Sequence, residues 1–314
     1  MANYLLAGGA GFVGSHLTES LLADEHVVTV LDDFSTGTLQ NFDRDIYEQD
    51  ALTIVEHDVT KPLPVEPEYD VVCHLASIPT PGEYMTQPVK TLQTGSLGTR
   101  RTLDLAVESN ATYLLTSTSE VYGDPEEHPQ PESYHGNVDP FGPRACYDEG
   151  KRYAEALVRA YREEHGLETR VARIFNTYGP RMRDSRVVPV FIEQALRNQP
   201  LTVHGDGSQT RSFCFIDDLL SGIQKLVESD VQTPVNLGTT DEVTISELAE
   251  AVIDVCDSDS SVTYTERPPD DPEQRRPDIT KAQDRLGWEP KTTLRDGLRK
   301  TADTFTLDKY DLTA

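Results

Sequence analysis

The stretch Gly8-Gly9-Ala10-Gly11-Phe12-Val13-Gly14 lies between an apolar run, Asn3–Ala7, and a segment of helical periodicity, Phe12–Ala23. Placed between a strand and a helix, GxxGxxG allows a tight turn, approach of a pyrophosphate to the backbone, and close helix–strand packing. The helix N-terminus then faces the phosphates. Eighteen residues after Gly14, Asp32 follows the β-branched run Val27–Leu31. A carboxylate at that point accepts hydrogen bonds from a ribose diol and repels a 2′-phosphate, which selects NAD over NADP. Asp58, after the strand-like run Thr53–His57, is placed to meet an adenine amino group.

The alternation continues. Tyr69–Leu75, Tyr113–Ser117 and Arg170–Ile174 read as strands, Val89–Glu108 as a long amphipathic helix, and Ala145–His165 as a helix stopped by Gly166. Continuous apolar strands separated by helices predict an α/β fold, a Rossmann-type doubly wound parallel sheet. After Thr177 the texture changes: Gly179-Pro180, Pro189, Pro200 and the loop His204–Gln209 break regularity. Helices Ile216–Val227, Ile245–Cys256, Thr280–Leu286 and Leu294–Thr304, a strand Val235–Leu237 and a Pro/Asp-rich stretch, Arg267–Pro277, follow. This predicts an NAD-binding domain of residues 1–176 plus 212–237 and a smaller C-terminal substrate-binding lobe of residues 177–211 plus 238–314, with substrate in the cleft between them.

Charge narrows the partners. The 28 basic and 54 acidic residues give a formal charge of −26, which repels nucleic-acid phosphates. No run approaches the ~18 apolar residues of a membrane span. The N-terminus lacks the basic segment of a secretory signal. Cys73, Cys146, Cys214 and Cys256 form no CxxC pair, so reduced thiols in the cytoplasm and no structural metal are expected. Only eight of the 28 basic residues are Lys, and surplus surface acid is tolerable where salt screens it, so a salt-adapted (halophilic) protein is expected; an ordinary acidic enzyme is the alternative.

Two further motifs carry chemistry. In Tyr147-Asp148-Glu149-Gly150-Lys151 a spacing of four puts Tyr147 and Lys151 on one helix face. A cationic Lys or a nearby nicotinamide cation lowers a phenol's pKa, which makes Tyr147 a candidate base for a hydroxyl proton. Thr116-Ser117-Thr118-Ser119-Glu120-Val121-Tyr122-Gly123 ends a sheet strand, at the edge where open α/β sheets bind ligands. There Thr118 can hydrogen-bond a substrate oxygen, and Glu120 can act as acid, base or water positioner.

These motifs, with Gly142–Arg152 (GPRACYDEGKR), Val171–Met182, Pro200–Phe213, Pro234–Gly238 and Arg276–Pro290, carry a resemblance over nearly the whole chain. The chain resembles the extended short-chain dehydrogenase/reductases that act on nucleotide sugars, and among them most the UDP-glucuronate decarboxylases (UDP-xylose synthases). The resemblance implies NAD-dependent decarboxylation of UDP-glucuronate to UDP-xylose through a 4-keto intermediate, with bound NAD recycled. It puts the family's catalytic residues on Thr118, Glu120, Tyr147, Lys151 and Arg275. It puts the nucleotide diphosphate on Asn176 and Arg211, and Arg275 toward the sugar. Candidate cofactor contacts are Gly8, Gly11, Phe12, Val13, Gly14, Asp32, Asp33, Ser35, Thr36, Gly37, Asp58, Val59, Leu75, Ala76, Tyr147 and Lys151; candidate substrate contacts are Asn176, Val188, Val203, Arg211 and Arg275. The resemblance also implies a homodimer through a four-helix bundle of the two long helices.

Some positions depart from the family pattern: His135 for tryptophan, Gly95 for asparagine, Ile78 for proline, His204 for tyrosine, and a shorter Arg183–Phe191 loop with Pro189-Val190 for Ser-Asn. The loop's form also resembles 4-epimerases, so a UDP-hexose 4-epimerase or a 4,6-dehydratase is the alternative. An NAD-binding sensor without catalysis is a third, more remote reading.

Overall fold

Seven short apolar runs pair into one parallel sheet in a computed structural model of the chain, which describes residues 1–182, 185–266 and 273–305. The first six strands are β1 (Asn3–Ala7), β2 (Val27–Asp32), β3 (Leu52–Glu56), β4 (Val71–His74), β5 (Thr112–Thr118) and β6 (Thr169–Ile174). Five short strands follow: β7 (Thr177–Tyr178), β8 (Leu201–His204), β9 (Thr210–Ser212), β10 (Cys214–Phe215) and β11 (Val235–Leu237). The last three are β12 (Glu242–Thr244), β13 (Val262–Thr265) and β14 (Gln274–Arg275). The main sheet runs β11-β6-β5-β4-β1-β2-β3, a doubly wound order that reverses beside β1. This is the expected fold class.

Period-two alternation explains why both faces are covered. Leu6, Val28, Val30 and Leu114 join one core with Leu17 and Leu21 of the Phe12–Ala23 helix and Leu219 and Ile223 of the Ile216–Glu228 helix. Their neighbours Leu5, Leu31, Tyr113 and Leu115 join a second core with Leu103, Ala154 and Val158 of the helices on the other face. Each fully buried Leu or Val of this kind stabilises the fold by about 1.5–3 kcal/mol. The smaller sheets, β10-β7, β12-β9-β14 and β13-β8, are built by the C-terminal half.

The long helix expected over Val89–Glu108 is divided. Pro88–Gln93 runs through a wider π turn, Thr94–Gly98, into Thr99–Ser109. Gly95 stands in that turn, and a Cβ there would come within 3.2 Å of the Gly150 carbonyl on the Ala145–His165 helix. The glycine therefore brings the two helices into backbone contact. Val187–Leu196 is helical despite Pro189, because Pro189 occupies the first turn, where its missing N–H has no helical partner anyway. Arg183, Asp184, residues 267–272 of the Pro/Asp-rich stretch and residues 306–314 lie outside the described residues.

Candidate active site

A cleft opens at the carboxyl edge of the main sheet, between the loop after β1, the ends of β2, β4, β5 and β6, and the Tyr147 face of the Ala145–His165 helix. The three motif glycines do different things there. Gly8 has φ +85°, and a Cβ on it would lie 2.5 Å from the Ala76 nitrogen. A Cβ on Gly14 would lie 2.2 Å from the Gly8 carbonyl oxygen. Both positions are set by packing. A Cβ on Gly11 would meet only that same carbonyl, at an ordinary 3.4 Å, yet Gly11 lines the cleft. Its lack of a side chain serves whatever occupies the cleft. Gly11 also begins the Phe12–Ala23 helix with no side-chain cap and no acid in the first turn, so the amides at that end remain available to an anion.

Asp32 is buried, with Oδ2 accepting the Ala10 N–H at 3.0 Å and Oδ1 the Phe34 N–H at 2.9 Å. Burial pushes its carboxyl above the usual range, against the pull of those amides. Asp33 is also penalised by burial, but its pairing with Lys90 at 2.8 Å and with Ser35 outweighs that and holds it low. Thr36, Asp58, Val59, Leu75 and Ala76 line the same end, with Asp58 Oδ1 accepting the Thr60 N–H. Gly37 does not line the cleft; a Cβ there would stand 2.9 Å from Asp32 Oδ1, so it lets the loop close over that carboxylate. Uncapped first-turn amides after a bare glycine and a fixed carboxylate beyond them fit a dinucleotide with an unphosphorylated ribose.

At the other end Thr118 finishes β5 and accepts the Glu120 N–H at 3.2 Å, and Tyr147 lines the same part of the cleft. Tyr84 stacks on Tyr147 with ring centres 5.2 Å apart and planes 4° from parallel. Lys151 Nζ donates to the Thr116 carbonyl at 2.8 Å and stands 6.0 Å from the Tyr147 ring centre. Burial pulls Lys151 down to about 8. Burial and then Glu120 push Tyr147 up to about 12, against Arg186 and Thr118. The expectation that Lys151 lowers the phenol's pKa is therefore not met by the chain alone, since its ammonium is desolvated and points at a backbone carbonyl.

Glu120 is the electrostatic centre. Its Oε1 pairs with Arg275 Nη1, and its Oε2 accepts from Arg144 Nη2 at 2.9 Å. Burial disfavours the carboxylate, but the two guanidiniums outweigh burial and hold its pKa below the usual range. Arg275 also donates to the Gly123 carbonyl at 3.1 Å. It reaches across from β14, where it is the register partner of Arg211 on β9. Arg211 Nη1 donates to the Thr210 carbonyl at 2.7 Å.

Among the candidate substrate contacts, Asn176 lines the cleft, whereas Val188, Val203, Arg211 and Arg275 do not. Arg275 meets the cleft through Glu120. Val188 and Val203 have their side chains in the apolar core, which leaves only their backbone for a ligand. Sequence reasoning missed Tyr84, Lys90, Arg144 and Arg186. Arg186 lines the cleft and donates to the Pro79 carbonyl at 2.9 Å. Arg144 had one legible signal, its place one turn before Tyr147. The others are brought in by tertiary contacts alone. Among the described residues no three His, Cys, Asp or Glu are grouped to hold a metal, and no helix is long and apolar enough to cross a membrane.

The family model described as GDP-mannose 4,6 dehydratase matches residues 5–301. The chain belongs to that family. It is an extended short-chain dehydrogenase/reductase, as its motifs indicated. The chain is 51% identical over 303 residues to UDP-glucuronic acid decarboxylase 1 of Danio rerio, covering 96% of this chain and 72% of that protein. It is 50% identical over 306 residues to UDP-glucuronic acid decarboxylase 5 of Arabidopsis thaliana, covering 96% and 89%. Among solved structures it is similar to UDP-glucose 4-epimerase of Thermotoga maritima with UDP-glucose (TM-score 0.87, 26% identity, 98% and 99% covered). It is also similar to UDP-glucuronic acid 4-epimerase of Bacillus cereus with UDP-glucuronic acid and NAD (TM-score 0.85, 27% identity, 96% and 98% covered).

Proposed function

We propose that the protein decarboxylates UDP-glucuronate to UDP-xylose, with NAD bound and recycled. The observation that carries this reading is the identity of about one half to decarboxylases of that substrate along 96% of the chain. The arginine cluster around Glu120 supports it. In a chain of charge −26 it makes one local site where a sugar carboxylate is attracted rather than repelled.

The cradle from Gly8 to Asp58 and the helix end at Gly11 would hold NAD, with Asp32 on its ribose. When bound, NAD supplies the hydride exchange at sugar C4 that makes the hydroxyl a ketone and later restores it. Tyr147 takes the C4 hydroxyl proton, and Thr118 holds the oxygen that loses it. Lys151, fixed on the Thr116 carbonyl, stands over the Tyr147 ring. The ketone lies β to the carboxylate, so loss of CO2 leaves an enolate on O4, and protonated Tyr147 donates a hydrogen bond to it. Arg275, fixed by Glu120 and Gly123, orients the sugar. Asn176 and Arg211 hold the diphosphate, a role that suits a rigid guanidinium fork, with the backbone at Val188 and Val203 toward the base.

The two-lobe division at residues 177–211 and 238–314, work in the cytoplasm and salt adaptation belong to the same proposal. So does a homodimer. Met85, Val89, Leu92 and Leu97 near the divided helix and Tyr153 on its neighbour are exposed, and a second copy would cover them as a four-helix bundle. The test is nuclear magnetic resonance of the protein with UDP-glucuronate and NAD. CO2 release with a UDP-xylose signal is expected. Interconversion at C4 without loss of CO2 would move the assignment to an epimerase.

A further inference from the structure

Acids outnumber bases 54 to 28 in this chain, yet a second cavity, outside the cleft, reverses that balance. It has a volume of about 460 Å³ and lies between the Ala145–His165 helix, one face of β6 and the chain just before β11. Arg152, Arg159, Arg162 and Arg173 line it, against a single carboxylate, Glu155. Two periodicities bring them together. Spacings of seven and three put Arg152, Arg159 and Arg162 on one stripe of the helix. Alternation along β6 puts Arg173 on the same face as Val171.

Glu155 does not neutralise that stripe. Its two oxygens are taken by Arg173 at 2.9 and 2.7 Å, and Oε1 also accepts the Ser117 hydroxyl at 2.6 Å. Ser117 lines the cleft, so Glu155 and Arg173 form a partition and the cavity is a space of its own. The three helix guanidiniums are weakly held. Arg152 gives Nη1 to the Val121 and His135 carbonyls and leaves Nε 3.6 Å from Glu149. Arg159 pairs with Glu163, one turn on and outside the lining, in an exposed pair of a kind that contributes little. Arg162 is half-buried, donates Nη1 to the Gln232 carbonyl at 2.7 Å, and meets no carboxylate among the described residues. A charge partly withdrawn from water normally has a counter-charge. The buried floor of Val121, Val158 and Val171 is apolar, which strengthens charge interactions above it.

We propose that this cavity binds a small polyphosphate anion, with Arg162 as its anchor and Arg159 and Arg152 beside it. Guanidinium forks match phosphate oxygens two at a time, and the volume is that of a small-molecule site. A lone carboxylate would leave two of the three guanidiniums unmatched. A nucleic acid does not fit, because the acidic surface around the cavity repels a long phosphate backbone.

The test is calorimetric titration of inorganic pyrophosphate into the full chain with NAD and UDP in excess, at the lowest KCl at which circular dichroism shows the fold intact. NAD and UDP occupy the cleft and remove its heat from the signal. The wild type is expected to bind pyrophosphate at a single site, and more weakly as KCl rises. Arg162→Gln is expected to weaken that binding by about tenfold, and Arg162→Lys, which keeps the charge but not the fork, to restore part of it. If Arg162→Gln does not fold, Arg159→Gln decides in its place, since that side chain is mostly exposed, and it too is expected to weaken binding. No binding by the wild type, or an affinity unchanged in the deciding variant, overturns the proposal. Neither outcome depends on which sugar reacts in the cleft, so the decarboxylase reading stands or falls separately.

Discussion

The two ends of the cleft are made of different material. The dinucleotide end is backbone: bare glycines, free amides at a helix start, and one carboxylate at a strand end. The sugar end is side chains: a stacked tyrosine pair and a chain of charges, Arg144–Glu120–Arg275, that joins three distant segments. A backbone site is fixed by local geometry and tolerates a changed neighbourhood. A charge cluster exists only when all its members have arrived, and losing one strands the others.

The largest effect expected at the sugar end is Tyr147→Phe. Turnover should fall by 10²–10⁴-fold while NAD stays bound, read by steady-state assay and by cofactor fluorescence. Next comes Glu120→Ala, which leaves buried Arg275 uncompensated. It should cost about 3–5 kcal/mol in denaturant unfolding and abolish activity with it. Because the Glu120 carboxyl is held low in the fold, its contribution is full above the ordinary carboxylate range and is lost as pH falls through its folded value. A wild type whose acid unfolding matches that of Glu120→Gln would remove the cluster from the argument.

The glycines sharpen the contrast at the other end. Gly14→Ala drives a methyl into the Gly8 carbonyl and should destabilise the chain by more than about 2 kcal/mol. Gly11→Ala should leave stability within about 0.5 kcal/mol yet weaken NAD binding, measured by calorimetry. If Gly11→Ala instead unfolds the chain, the division of labour among the glycines is wrong.

Asp148 reverses the sign seen at Glu120. Its carboxyl is raised in the fold, so its stabilisation is complete below the unfolded value near 3.8 and drains away as pH climbs toward about 7. Asp148→Asn should therefore be more stable than wild type at mildly alkaline pH, with the gap closing in acid, as thermal melts across pH would show. The smallest expected effect is general: melting temperature should rise with KCl as salt screens the surplus negative charge.

The dinucleotide end was legible because its signals are local. The helices Phe12–Ala23 and Ala145–His165 have the boundaries their periodicity predicts, and Asp32 ends β2 as the run before it predicts. The sugar end was legible only where a motif marked it, as with Tyr147, Lys151 and Glu120. Tyr84 and Arg186 lie far from those motifs in sequence, and nothing local distinguishes them from surface residues. Strands β9 and β12 have three residues each and β14 two, too few for an alternation to show. The divided helix escaped because a π turn keeps the helical pattern while shifting its face. Pro189 was misleading because a proline in a first turn looks the same in sequence as one that ends a helix.

The register pairing of Arg275 with Arg211 has a consequence for the order in which the protein matures. A growing chain has its GxxGxxG glycines and Asp32 after the first two strands are made, but the arginine that pairs with Glu120 arrives more than two hundred residues after the last glycine of that motif. It is delivered on a two-residue strand that has somewhere to pair only once β9 is in place. A chain that stops short of β14 has the glycine loop and Asp32 but no guanidinium on the Oε1 side of Glu120. The charge cluster around Glu120 is then complete only when β9 and β14, made some sixty residues apart, have met.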